Sequence, residues 1–353
     1  MDSVAMTLML VVLDHVLCKE RSAASPRVPP QRSGIRTQVR RLDGQRALVT
    51  GASSGIGAAT AQLLAREGAD VALLARGETG LLRVAARVQE EGRQALILQA
   101  DVGDRAALEL SIAEAVRQFG GLDVVVVAAA AGAFGRFEEI PPEDFDRCVR
   151  VSLLGAVDTI RAVMPELERT AGRLVVIGSA VDEVELPLLS PYVAAKHGLH
   201  GFLNSLRADL RSRGSQVTVA EVRPGAVDTP FWLHLTHRAG LAPPTIPPLT
   251  TYTAESVARA VVACAIAPRR SITVGGSTLL LSFAERHARP LMERALALVG
   301  RLARARAQPD DAPRGLWEPS GEGDLGGDLH GRPSLLAALQ LRGTRPPGGV
   351  DGS

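Results

Sequence analysis

"TGASSGIG", residues 50–57, stands between the apolar run "RALVT" at 46–50 and a segment of helical periodicity over 57–67. Its three glycines, Gly51, Gly55 and Gly57, fall where a strand would end and a helix begin. Without side chains, such a turn can be tight, and a phosphate can approach the backbone N–H groups at the positive end of the helix dipole. A glycine trio gains its meaning from that context, strand before and helix after, which is what a dinucleotide-binding turn requires.

The alternation continues along the chain. Short β-rich runs at 71–75, 95–100, 123–129, 172–179, 216–222 and 271–276 are separated by helix-period segments at 78–91, 104–119, 142–169, 192–213 and 254–267. Continuous apolar strands with a helix between each pair imply a parallel sheet covered on both faces by right-handed crossovers. The expected fold is therefore doubly wound α/β, Rossmann-like, in a single domain over 43–280. Ligands of such sheets bind at the carboxyl ends of the strands. Residues 1–42 read as a leader and a linker rich in Arg, Pro and Ser, 281–306 as an amphipathic helix, and 307–353 as a tail with little fixed structure. The apolar part of "MDSVAMTLMLVVLDHVLC" is too short to span a bilayer, and most of its positive charge follows it, so it makes a poor signal peptide.

Composition narrows the function. With 46% hydrophobic and 22% charged residues among 353, the chain reads as soluble and globular, and a net charge of +2 gives no general argument for nucleic acid. Cys18, Cys148 and Cys264 form no CxxC pair, which points to a reducing compartment, the cytoplasm, without disulfides. The histidine pairs His197/His200 and His234/His237 lack a third ligand nearby in sequence, so no metal is expected. Thirty-eight of the 40 basic residues are Arg, and only Lys19 and Lys196 are Lys. Lys196 lies four residues after Tyr192 in "SPYVAAKHG" (190–198), so a helix would set ammonium and phenol on one face. A chain that prefers Arg this strongly and keeps Lys here has use for a compact charge with an adjustable pKa.

The GxxxGxG spacing, the Tyr192-x-x-x-Lys196 pair with Ser179 thirteen positions before the tyrosine, and "RPGAVDTP" at 223–230 together resemble the short-chain dehydrogenase/reductase (SDR) family, over about residues 43–276. The resemblance implies an NAD(P)-dependent oxidoreductase that interconverts a carbonyl and an alcohol. Tyr192 would be the general acid or base, Lys196 would lower the phenol's pKa, and Ser179 would donate to the substrate oxygen. It also implies cofactor contacts from Gly51, Ser53, Ser54, Gly55, Ile56, Gly57, Arg76, Asp101, Val102, Ala128, Ala129, Tyr192, Lys196, Pro224, Gly225, Val227 and Thr229. Asp101 as a helix cap is the alternative for that residue. Where NAD-preferring members carry an acid, this chain has Ala75, and Arg76 follows, so NADP(H) is expected over NAD(H).

The chain departs from the family pattern in two places. Val127, Ala128, Ala129 and Ala130 stand where Asn-Asn-Ala-Gly is common, and Ser152 replaces a helix asparagine that holds a relay water; Ser152 is expected to serve that relay. The substrate is expected to be small and apolar, under a lid formed by Phe231, Trp232 and Tyr252. A homo-oligomer is the expected assembly. Two alternatives stand beside this reading: a cofactor-binding protein with weak turnover, and a reductase held at a membrane surface by the basic amphipathic segment at 290–307.

Overall fold

The computed structural model describes residues 40–232, 234–237, 251–305, 315–319 and 324–327. Seven parallel strands form the central sheet: β1 (Arg46–Thr50), β2 (Asp70–Ala75), β3 (Ala95–Gln99), β4 (Val124–Val127), β5 (Arg173–Ile177), β6 (Thr218–Pro224) and β7 (Ser271–Val274). Their order across the sheet is β7-β6-β5-β4-β1-β2-β3, the doubly wound arrangement expected from the alternation. Strand order reverses at β1, whose Thr50 pairs with Leu74 on one side and Val127 on the other. β4 is four valines, all buried, because helices cover both faces and every side chain meets apolar neighbours.

Two buried clusters, one on each face, form the core. One joins Val49, Leu73 and Val126 to Ala58, Leu64 and Val261; the other joins Leu48, Val125 and Leu174 to Leu108, Ile160 and Leu203. The helices are α1 (Gly55–Arg66), α2 (Glu78–Glu90), α3 (Arg105–Phe119), α4 (Pro142–Val149), α5 (Gly155–Thr170), α6 (Ser190–Ser212), α7 (Ala254–Ile266), α8 (Gly276–His287) and α9 (Arg289–Ala305). Asp104 caps α3 through the Ala107 N–H, and Gly120 ends it in the left-handed conformation. The single helix expected over 142–169 is α4 and α5 joined by a wide π turn at Arg150–Leu154, which carries Ser152. The helix expected over 281–306 is likewise two, because the chain leaves helical geometry at Ala288, just before Arg289-Pro290. Among the described residues no helix is long and apolar enough to cross a membrane.

The domain reaches beyond the limits drawn from sequence. Leu42, placed in the linker, is fully buried, and Arg41 pairs with Glu67. From the tail, residues 315–319 and 324–327 pack on the domain, with Leu316 inside one core cluster and Leu325 against the other. Residues 1–39 and the rest of the tail lie outside the described residues. Two short parallel pairs were not expected from the sequence: Ala226–Asp228 with Thr251–Thr253, and Ala133–Phe134 with Thr236–His237.

Candidate active site

At the carboxyl end of β1 the chain turns through Gly51 at φ +69° and Gly55 at φ +53° into α1. A Cβ on Gly57 would stand 2.1 Å from the Gly51 carbonyl oxygen, and one on Gly51 2.8 Å from the Ala129 Cα, so this packing admits only glycine at either position. Ser54 precedes α1 in extended geometry and caps no N–H with its side chain, which leaves the helix amino end to bind something else. A glycine-only cradle with outward N–H donors fits a pyrophosphate. Thr229 faces the turn from the other side, 3.2 Å from where a Gly55 Cβ would be, and so closes the cleft with the segment Pro224–Thr229.

Three side chains brace the end of β4, and of these the sequence reading gave Thr50 and Cys148 no part in the site. Thr50 Oγ1 accepts from the N–H groups of Ala128 (3.1 Å) and Ala129 (3.4 Å). Ser152 Oγ accepts from Ala131 N at 2.9 Å and donates to Ala131 O at 2.7 Å, and Cys148 Sγ donates to the same carbonyl at 3.1 Å. Ser152 thus braces the backbone beside β4 through both its donor and its acceptor. Val127 and Ala128, which stand at the asparagine positions, bring no polar side chain, and Thr50, at the end of an apolar strand, supplies an acceptor for the backbone there. That placement, a polar residue closing an otherwise apolar run, was the available sequence signal.

α6 opens with Ser190-Pro191 and brings Tyr192 and Lys196 to the carboxyl end of β5, beside Ser179. Ser179 Oγ accepts from Val181 N at 3.3 Å, capping a short helical turn. Lys196 is buried; its Nζ donates to Ile177 O at 2.8 Å and sits 5.6 Å from the centre of the Tyr192 ring. Burial lowers the Lys196 ammonium to about 8, against the pull of Asp182 and Glu221. Burial also raises the Tyr192 phenol well above its usual value, with Ser179 pulling it back in part. The expected lowering by Lys196 is therefore outweighed: the ammonium lies over the ring and is turned to a carbonyl, and desolvation dominates.

Behind Lys196 lies a buried charge cluster that no sequence spacing announced. Arg223 Nε bonds both Asp182 oxygens at 3.0 and 2.9 Å, and His200 Nδ1, one turn along α6 from Lys196, lies 3.0 Å from Glu221 Oε2.

The adenosine end of the cleft is less open than the sequence suggested. Arg76 follows β2 in a partly buried position, with Arg147 near enough to repel it. Asp101 accepts from Gly103 N at 2.7 Å and pairs with Arg147; the cap of the next helix is Asp104, so capping falls away as a role for Asp101. Val102 is buried, its carbonyl pressed against Gly155. Of the three aromatics assigned to a lid, Phe231 packs on Tyr192 (centroids 5.3 Å) and Trp232 on Phe231 (5.7 Å), with Phe134, Leu189 and Leu235 around them. Tyr252 belongs elsewhere: it is buried in the core, and its hydroxyl accepts from Gly276 N at 3.1 Å. Residues 238–250 of the expected lid lie outside the described residues.

The short chain dehydrogenase family model matches residues 45–239. The chain is 31% identical over 249 residues to the oxidoreductase YxnA of Bacillus subtilis, covering 69% of this chain and 70% of that one. An X-ray structure of an alcohol dehydrogenase from the archaeon Thermococcus sibiricus, complexed with 5-hydroxy-NADP, aligns at TM-score 0.58 and 31% identity over 65% of this chain and 95% of its own. A short chain dehydrogenase from Mycobacterium paratuberculosis, bound to NAD, aligns at TM-score 0.59 and 25% identity over 67% and 99%. With the family's glycine turn and Ser-Tyr-Lys spacing gathered at one edge of a doubly wound sheet, the chain belongs to the short-chain dehydrogenases and is an NAD(P)-dependent oxidoreductase of alcohol and carbonyl groups.

Proposed function

We propose that the protein interconverts a carbonyl and an alcohol on a small, apolar substrate, with NADP(H) preferred and Tyr192 as the proton donor or acceptor. The observation that carries this reading is the convergence of Ser179, Tyr192 and Lys196 at the strand ends. The glycine turn would hold the pyrophosphate, and Arg76 the 2′-phosphate. The nicotinamide supplies or removes the hydride. Tyr192, held neutral by burial, keeps its proton at neutral pH and delivers it to the oxygen that gains charge in reduction. Ser179 donates to that oxygen, and Phe231, Trp232, Phe134 and Leu189 form an apolar wall that excludes water. A panel of ketones, aldehydes and secondary alcohols with NADPH and NADH tests the proposal, and oxidation of neither cofactor with any of them would refute it. The buried free thiols of Cys148 and Cys264 suit a reducing compartment, so we place the enzyme in the cytoplasm, as a homo-oligomer.

Two expected results follow from the site itself. Lys196 is charged below about pH 8 and neutral above it, so its support for the tyrosine is present at lower pH and lost as pH rises through that value. The reductive rate should fall above about pH 8; a profile flat to pH 10 would show that the Lys196 charge does not matter. Ser152→Ala strips the buried Ala131 N–H and C=O of a partner, at a cost of about 1 to 3 kcal/mol. Turnover should drop several-fold while Ser152→Asn retains it. Unchanged steady-state rates and melting temperature in Ser152→Ala would remove the brace from the account.

A further inference from the structure

The surfaces assigned to the dinucleotide are met by the chain's own carboxyl-terminal region. The Gly55 N–H, at the amino end of α1, donates to the Asp324 carbonyl at 2.8 Å. Arg76 donates from Nη1 to Leu316 O at 3.1 Å and from Nη2 to Gly315 O at 2.5 Å, and Arg147 Nε donates to the same Leu316 carbonyl at 3.1 Å. Leu316 is 0% exposed, within the apolar cluster of Ala100, Val102 and Ala131. Beside it, Trp317 Nε1 donates to Asp144 at 2.8 Å, and the Arg147 guanidinium lies 5.5 Å from the Trp317 ring centre. Gly327 N donates to Asp228 Oδ1 at 3.0 Å, and its Cα passes so near Thr229 that a Cβ would stand 2.7 Å from the Thr229 carbonyl.

We propose that the cleft is also a docking surface for residues 315–319 and 324–327, which occupy it in place of the dinucleotide and hold the enzyme closed until cofactor displaces them; this rests on the cofactor reading above. The contacts fall on three separate parts of the cleft. At the glycine turn a peptide carbonyl takes the donor meant for the pyrophosphate. At Arg76 two carbonyls take the guanidinium meant for the 2′-phosphate, and Leu316 fills an apolar recess of the kind an adenine would enter. At Asp228–Thr229 the segment covers the nicotinamide end. At Gly55 the cofactor brings an ionised acceptor in place of a neutral one, and hydrogen bonds with an ionised partner are roughly twice as strong as neutral ones; at Arg76 a phosphate adds an ion pair where the carbonyls offer only dipoles. The segment is thus a displaceable occupant, and it lowers apparent cofactor affinity in proportion to the fraction of molecules it leaves open.

The test uses the full chain. NADPH and NADH are titrated into the parent, into Leu316→Glu, which places a charge in the apolar recess, and into Leu110→Glu, which adds the same charge on an exposed face of α3. With an open fraction of about one in ten in the parent, Leu316→Glu should bind NADPH about 10-fold more tightly, and Leu110→Glu should match the parent. Hydrogen exchange in the unaltered parent should become faster at 315–319 and 324–327 when NADPH is added. Parent-like affinity in Leu316→Glu, or protection of the segment by NADPH as a lid closing over it would give, overturns the proposal. If neither the parent nor Leu316→Glu binds either cofactor, the cofactor reading fails and this inference falls with it.

Discussion

Tyr192→Phe should reduce turnover by a factor on the order of 10² or more, the scale of general acid catalysis, while leaving cofactor affinity near that of the parent. The substitution removes one oxygen and little else. A phenylalanine ring keeps the contact with Phe231 and remains beneath the Lys196 ammonium, so the local packing has no reason to change. What is lost is the hydroxyl that burial holds protonated. Steady-state rates on a substrate from the carbonyl panel, with NADPH binding measured in parallel, separate the two effects. A Phe variant that turns over at the parent rate would remove Tyr192 from the chemistry.

Arg76→Ala should narrow the preference for NADP(H) over NAD(H) by roughly 10-fold to 150-fold, the equivalent of about 1.5 to 3 kcal/mol for one hydrogen bond to a charged group. The measured quantity is the ratio of the two affinities in the same protein. That choice matters, because Arg76 also holds the carboxyl-terminal segment, and losing it would loosen that segment. The segment competes with both cofactors alike, so its contribution cancels in the ratio and only the phosphate contact remains. Equal affinities for NADPH and NADH in the parent would refute the preference, and an unchanged ratio in Arg76→Ala would move the phosphate to another cation, with Arg147 the nearest candidate.

The sheet and most of its helices could be read from sequence because their cause is local. Runs such as Val124–Val127 have one reasonable environment, and glycines at 51, 55 and 57 mark a turn that other residues cannot make. The spacing of Tyr192 and Lys196 was legible for the same reason, since helical geometry turns a separation in sequence into a shared face. What was not legible depends on residues far apart in the chain. Thr50 meets Ala128, Arg223 meets Asp182, and Gly55 meets Asp324 only after the sheet has formed. Tyr252 was misplaced because an aromatic in a Pro-rich stretch looks alike whether it covers a cleft or fills a core. The position of Ser152 was legible, but its bonds to the Ala131 backbone, 21 residues away, were not. The tyrosine's pKa was misjudged because spacing gives the direction toward a charge and says nothing of the desolvation around it.

The strand order carries a consequence for how the chain folds. β1, β2 and β3 are neighbours in sequence and in space, so they can assemble once residue 99 has left the ribosome. The other edge of β1 must wait for Val124–Val127, with three helices and two strands made in between. During that interval an apolar strand edge, Ala47–Val49 among it, has no partner, and such edges recruit other chains. Pairings of this separation are slow to form because loop closure precedes any gain from contact. The centre of the finished sheet is therefore an open edge during synthesis, and expression at reduced temperature, which weakens apolar association, should favour the monomeric nascent chain over aggregates.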